Sequence, residues 1–316
     1  MKHVISVIFV INLLLLVACN SNASNKITRS DGAHKLNIVL AGSLQNPAFS
    51  PNGKSVVFTR FRDGYNKGAS DIFVYHLDTG ELKELISDGS SNVNLPGSSW
   101  NSALDSIVFS SDRGEHDEIY TIASTGKSGD ETQISNRIDK QSFEPSYSPD
   151  GKWIVFESHG IDIEEGVISK YRADGSSEYI DLTSTKDNGK QPNWSPLGDK
   201  ILYQKEHING WAIWSMGLDG ESKRQITAND ESATDAIFSP DGKWIIYSSE
   251  NKAVELANIY AKKINGDSIK RLTDFSGYDG AVSISPDASQ IVFESSEDEP
   301  DKSNATTLWL IDTDLQ

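Results

Sequence analysis

Hydrophobic positions along this chain come in runs of three, separated by polar stretches, and the runs recur. Val56-Val57-Phe58, Ile107-Val108-Phe109, Ile154-Val155-Phe156, Ile201-Leu202-Tyr203, Ile245-Ile246-Tyr247 and Ile291-Val292-Phe293 share one pattern. Their β-branched and aromatic make-up and short length predict strands. A polar loop follows each run. A second strand then carries an aromatic at its third position: Asp71-Ile72-Phe73, Glu118-Ile119-Tyr120, Ala212-Ile213-Trp214, Asn258-Ile259-Tyr260 and Thr307-Leu308-Trp309. The third repeat departs, reading Val167-Ile168-Ser169-Lys170-Tyr171. Glycine turns such as Asp174-Gly175 and Asn265-Gly266 come next, and a last strand ends in Ile-Thr or Leu-Thr, as at Ile226-Thr227 and Leu272-Thr273.

A six-residue phrase precedes every run. Phe49-Ser50-Pro51-Asn52-Gly53-Lys54, Tyr147-Ser148-Pro149-Asp150-Gly151-Lys152 and Phe238-Ser239-Pro240-Asp241-Gly242-Lys243 are its clearest copies. Trp194 to Asp199 and Ile284 to Ser289 are looser, and Trp100 to Asp105 has lost the proline. Proline presets φ at the second turn position and Asp-Gly supplies a tight reversal, so the phrase is expected to turn an inner strand into the next one. The aromatic before it is expected to pack between neighbouring units. Four short antiparallel strands repeating about every 45 residues predict a propeller, here all-β with six four-stranded blades. Helix-pair solenoids share the period but need 3.6-residue periodicity, which the chain after its N-terminal apolar run lacks.

The sixth repeat ends at Leu310 to Gln316 without its fourth strand, and Leu36-Asn37-Ile38-Val39-Leu40 stands unassigned before the first. Strand 36–40 is therefore expected to complete the last blade and close the ring, which removes exposed sheet edges.

The N-terminus has a different character. Lys2 and His3 precede an apolar run from Val4 to Ala18, suited to a signal peptide and too short to span a bilayer. The run ends at Leu16-Val17-Ala18-Cys19, and Cys19 is the chain's single cysteine. This tetrapeptide resembles the bacterial lipoprotein lipobox, which implies lipidation of Cys19, and Asn20 is compatible with outer-membrane sorting. The expected organisation is a signal peptide at 1–18, a lipidated cysteine and tether at 19–34, and the propeller at 35–316. A diacylglycerol thioether with an amide-linked acyl chain suffices for stable anchoring. With no second cysteine, no intramolecular disulfide forms.

Charge narrows the partners. With 46 acidic against 29 basic side chains and a net charge of −17, nucleic acid and anionic headgroups are poor general ligands. A basic protein partner or bound cations remain open, as does acidity that serves solubility alone.

The Ser-Pro-Asp-Gly-Lys phrase, the Ile-Tyr third strand and the Leu-Thr fourth strand resemble the TolB-like propeller repeats over residues 36 to 316. Such repeats form the C-terminal domain of TolB and the non-catalytic propellers of prolyl oligopeptidase and dipeptidyl peptidase relatives. The resemblance implies fold more than function. The Gly-x-Ser-x-Gly elbow of the hydrolase domain in those peptidases is missing from this sequence. Glu164-Glu165 resembles the amine-binding glutamates of dipeptidyl peptidases, and paired acids in an acidic loop are common.

Two constellations carry candidate chemistry. Four residues before each phrase serine stand Asn46, Gly97, Glu144, Gln191, Asp235 and Ala281, a ring expected at the channel mouth and suited to a cation, sugar or amine. Lys140-Gln141 and Lys190 add donors, with Asp187 and Asp279 nearby, and Trp211 is either an exposed anchor or the first buried residue of its strand. The second constellation is His116, His159 and His207, in the second-to-third-strand loops of consecutive blades. These are solvated loop histidines or ligands of a divalent transition metal, resembling the histidine-rich manganese site of propeller oligogalacturonate lyases. The expected function is a non-catalytic module without a cofactor, an outer-membrane lipoprotein facing the periplasm or displayed at the surface. It would be a monomer that touches the membrane through its lipid alone and engages an envelope protein or a saccharide. The ligand residues would be Asn46, Glu144, Gln191, Asp235, Asp279 and Trp211. The alternative is a metal-dependent carbohydrate-active enzyme.

Overall fold

A computed structural model describes residues 27–96, 99–101, 103–250, 256–296 and 305–315; Cys19, its signal and Gly97 lie outside them. The chain forms six antiparallel sheets, each spanning one repeat from the inner strand outward. Blade 1, for example, runs Ser43–Phe49, Ser55–Phe61, Ser70–His76 and Leu82–Ile86. Blades 3, 4 and 5 follow the same plan, so the propeller read from the repeat is the observed fold. In blade 2 the inner strand is broken into Val93–Asn94 and Trp100–Asn101, both paired with Ser106–Ser111, at the repeat whose phrase lost its proline.

Ring closure differs from expectation by a few residues. The strand that completes blade 6 is His34–Lys35, with His34 opposite Leu310 and Lys35 opposite Trp309. Residues 36–40 are not a strand, although the Leu36 N–H still donates to the Leu308 carbonyl at 2.9 Å. Arg29 fastens this segment. Its guanidinium donates to both Asp279 carboxylate oxygens at 2.8 and 2.9 Å, and its Cζ lies 4.3 Å from the Phe275 ring centroid.

The core is divided among the blade interfaces. Six buried apolar clusters each straddle two adjacent blades; one combines Trp194, Ile201 and Tyr203 with Val155 and Ile168. Each second strand contributes to both of its neighbours: Val56 and Phe58 face blade 6 and Val57 faces blade 2. That two-sided burial is why these runs are apolar throughout. The phrase aromatics Phe49, Tyr147, Trp194 and Phe238 pack on the preceding blade, as expected.

The phrase turns carry their own bonds. Ser148 Oγ donates to Asp150 at 2.8 Å and accepts the Trp153 N–H at 2.9 Å, and blades 1, 5 and 6 repeat both contacts. The glycine adopts φ +69° at Gly53, Gly151 and Gly242. Gly242 is also crowded, since a Cβ there would sit 2.7 Å from Leu197 of blade 4.

Candidate functional site

Every inner strand except the broken one of blade 2 contains one register shift, between Gln45 and Ala48 in blade 1, Phe143 and Ser146 in blade 3, Lys190 and Asn193 in blade 4, Thr234 and Ile237 in blade 5, and Gly280 and Ser283 in blade 6. The residue at each shift has a positive φ: Asn46 51°, Glu144 48°, Gln191 45°, Asp235 54° and Ala281 44°. Non-glycine residues rarely adopt this region, and β-bulges of this kind re-aim side chains. Here the five residues surround the channel throat. The offset from the phrase serine that drew attention in the sequence is therefore the position of a strained bulge.

Bulging frees the N–H of that residue from the ladder, and an acceptor on the preceding blade takes it. Asn46 N–H donates to Glu294 Oε2 at 3.0 Å, Gln191 N–H to Glu157 Oε2 at 3.1 Å, and Asp235 N–H to Gln191 Oε1 at 3.2 Å. Glu157 and Glu294 occupy the same place in their blades, directly after the strand aromatic. Thr59, Ser110, Gln204 and Ser248 fill that place in the other four, and all six are buried. This second polar ring escaped the sequence reading, though its signal is visible: every apolar-apolar-aromatic run is followed by a polar residue.

Above the throat the channel widens into a chamber of about 530 Å³. Asn46, Glu144, Gln191, Asp235 and Glu294 line it together with Asn94, Tyr65 and Tyr278. The Tyr65 and Tyr278 hydroxyls donate to Glu294 Oε1 at 3.0 and 3.2 Å. Asn46 Nδ2 donates to Asn94 Oδ1 at 2.6 Å, and Asn94 Nδ2 donates to Glu144 Oε1 at 3.3 Å. Asn94 stands where broken blade 2 reaches the channel. Tyr65 and Tyr278 come from loops with no repeat signature, so sequence pattern gave no access to them.

Electrostatically the chamber is unbalanced. Burial, reinforced by Glu157, Asp235 and Glu294, pushes the Glu144 carboxyl up to about 8. Burial likewise raises Glu294 to about 7. Asp235 is also raised by burial, which its bonds to Thr234 and Ala281 only partly offset. The Tyr65 hydroxyl is raised by the Glu294 charge and by burial. Glu157 differs: His159 Nε2 bonds its Oε1, and Lys190 Nζ lies 3.7 Å from the same oxygen. Carboxylates converging in a low-dielectric space bind protons or a cationic group.

The remaining expected site residues fall elsewhere. Asp279 is fully buried and is committed to Arg29 in the ring latch, outside the chamber lining. Trp211 is half-buried, with Lys190 Nζ 5.8 Å from its ring centroid. His159 is taken by Glu157 and by an edge-on contact with Phe143 at 5.3 Å. His207 Nδ1 accepts the Asn209 N–H at 3.2 Å while its buried Nε2 has no hydrogen-bond partner among the described residues. His116 is half-buried beside Asp117, whose carboxyl burial raises to about 6. Among the described residues no group of three or more His, Cys, Asp or Glu side chains is placed to hold a metal ion.

The family described as the TolB beta propeller domain matches residues 26–236. A Tol-Pal system protein TolB of Francisella tularensis subsp. mediasiatica (strain FSC147) is 31% identical over 213 residues, covering 66% of this chain and 44% of that protein. The chain thus spans less than half the length of the curated TolB relatives it matches. Among solved structures, TolB from Acinetobacter baumannii superposes with a TM-score of 0.65 at 16% identity, covering 84% of this chain and 65% of that one. An oligogalacturonate lyase in complex with manganese superposes with a TM-score of 0.59 at 15% identity, covering 90% and 80%. At these identities the two structures share the fold alone.

Proposed function

The chain belongs to the TolB beta propeller family, and from that membership we propose that it is a non-catalytic binding module of the bacterial envelope, held by lipid at Cys19, which receives a basic group of a protein partner at the channel mouth. The observation that carries this reading is the chamber: Glu144, Asp235 and Glu294 face one space, all three are raised, and none is ion-paired to Lys or Arg among the described residues. A lysine or arginine side chain, or an N-terminal ammonium, would relieve that imbalance, and the Asn46, Asn94 and Gln191 amides would orient it. The face around the mouth also suits a protein surface. Its loops expose Ile138, 92% accessible, and Ile208, 98% accessible, in connections of blades 2 to 3 and of blade 4.

A photo-crosslinker at the exposed chamber residue Asn66 tests this in cells. A captured protein should disappear when Glu144→Gln and Asp235→Asn are combined, and these variants keep the shape and the tolerance for positive φ reasonably well. A capture pattern unchanged by the pair would sink the reading. Stoichiometric transition metal in the purified protein, lost on His159→Ala, would redirect it toward a metal-dependent enzyme.

A further inference from the structure

The opposite face, where the phrase turns lie, holds a cleft of about 630 Å³ between blades 4 and 5. In a chain of net charge −17 its lining is unexpected: Lys200, Arg224, Lys243 and Lys263 against only Asp199 and Asp241. The two carboxylates are already used, Asp199 by Lys200 and Asp241 by Lys243, the latter at 2.9 Å. Arg224 and Lys263 have no carboxylate within ion-pair distance among the described residues; Lys263 Nζ rests 5.2 Å from the Trp244 ring centroid.

The sequence around the cleft shows the same bias. Where blades 1, 3 and 4 begin their last turn with Asp78, Asp174 and Asp219, blade 5 has Asn265, and Asn265 lines the cleft. Asn265 is thus the neutral isostere of the aspartate at those turns, and it lines the same cleft as the two unpaired cations. The floor is apolar, formed by Met216, Phe238 and Ile264.

From the unpaired cations, the neutral turn residue Asn265 and the concave apolar floor we propose that this cleft binds a small oxyanion-bearing ligand, a carboxylate or phosphate carried on a body with an apolar face. Arg224 supplies the planar fork that matches an oxyanion and Lys263 a point charge beside it. Ser215 and Ser222 line the same space and offer hydroxyl donors. The proposal is independent of the chamber.

Calorimetric titration of the full chain with inorganic phosphate and with glucuronate tests it, alongside flotation with phosphatidylglycerol vesicles. At least one soluble probe should bind in the millimolar range or tighter. Combining Arg224→Ala with Lys263→Ala should weaken that binding at least tenfold with an unchanged Tm, and Asn265→Asp should weaken it without removing any cation. Glu144→Gln, in the chamber, should leave it unaltered. Failure of both soluble probes to bind, or binding insensitive to the cleft variants, overturns the proposal. So does binding lost in Glu144→Gln, and so does vesicle flotation that the Arg224→Ala, Lys263→Ala pair abolishes in the absence of soluble binding, which would make the cleft, and not the Cys19 lipid, the membrane contact.

Discussion

Glu144 combines a strained backbone with an unbalanced charge. Its φ of 48° is held by the bulge, while its carboxyl receives a single long bond from Asn94. Glu294, by contrast, accepts from the Asn46 amide and from two tyrosines, so much of its role is to cap a bulge. The difference gives a test at residue scale. An unfolded glutamate titrates near 4.5 and folded Glu144 near 8, so between those values the folded state holds more protons. Stability from this group is then full at low pH and is lost as pH rises, with a slope approaching about 1.4 kcal/mol per pH unit. Glu144→Gln should raise Tm strongly at pH 8.5 and only slightly at pH 4.5, where the unfolded glutamate also begins to hold its proton; equal Tm differences at both values would contradict a buried, raised carboxyl. The phrase aspartates act in the opposite sense. Bonds from Lys243, Ser239 and the backbone hold Asp241, and serine and backbone bonds hold Asp287, at about 2, so their contribution fades only as pH falls below the ordinary aspartate range.

At the scale of elements, the latch around Arg29 decides whether the ring stays closed. Arg29 and Asp279 have side chains only 8% and 0% exposed, and removing the arginine would strand a buried carboxylate. Arg29→Ala should therefore cost roughly 3–5 kcal/mol in urea unfolding. Arg271→Ala, which breaks an exposed pair with Asp274 at 2.7 Å, should cost about 1 kcal/mol or less. Equal losses would mean that the latch does not clamp the ring. This element also marks the limit of what sequence pattern reveals. The blade strands were legible because both of their faces are buried and the pattern recurs six times. An outermost strand needs only backbone bonding, so His34 and Lys35, both polar, carry no apolar signal. Leu36, Ile38 and Leu40 are apolar because they cover the core between blades 6 and 1 as irregular chain, which is why they resembled a strand. The ring positions were legible through their fixed offset from the phrase. Asn94, Tyr65 and Tyr278 were not, since a broken strand and two unrepeated loops bring them to the chamber.

Across the whole molecule the two proposed sites would use charge in opposite senses. The mouth gathers raised carboxyls within a chain of net charge −17, so the basic partner proposed above would be drawn by the entire field and then by the chamber. Long-range attraction and local capture separate by salt, because screening acts over about 8 Å at physiological ionic strength. For the partner captured through Asn66, raising salt from low to physiological strength should slow association severalfold while dissociation changes little. Ile138→Ser and Ile208→Ser remove exposed apolar contacts without altering charge, so they should speed dissociation and leave the salt dependence of association intact. The Glu144→Gln, Asp235→Asn pair should speed dissociation too, and in addition should make binding less sensitive to pH between 6 and 8.5, where the native chamber exchanges protons for the incoming cation. If binding were equally pH-sensitive in the pair, the exchanging proton would belong to another group, and the chamber would be a structural ring whose acids serve the bulges alone.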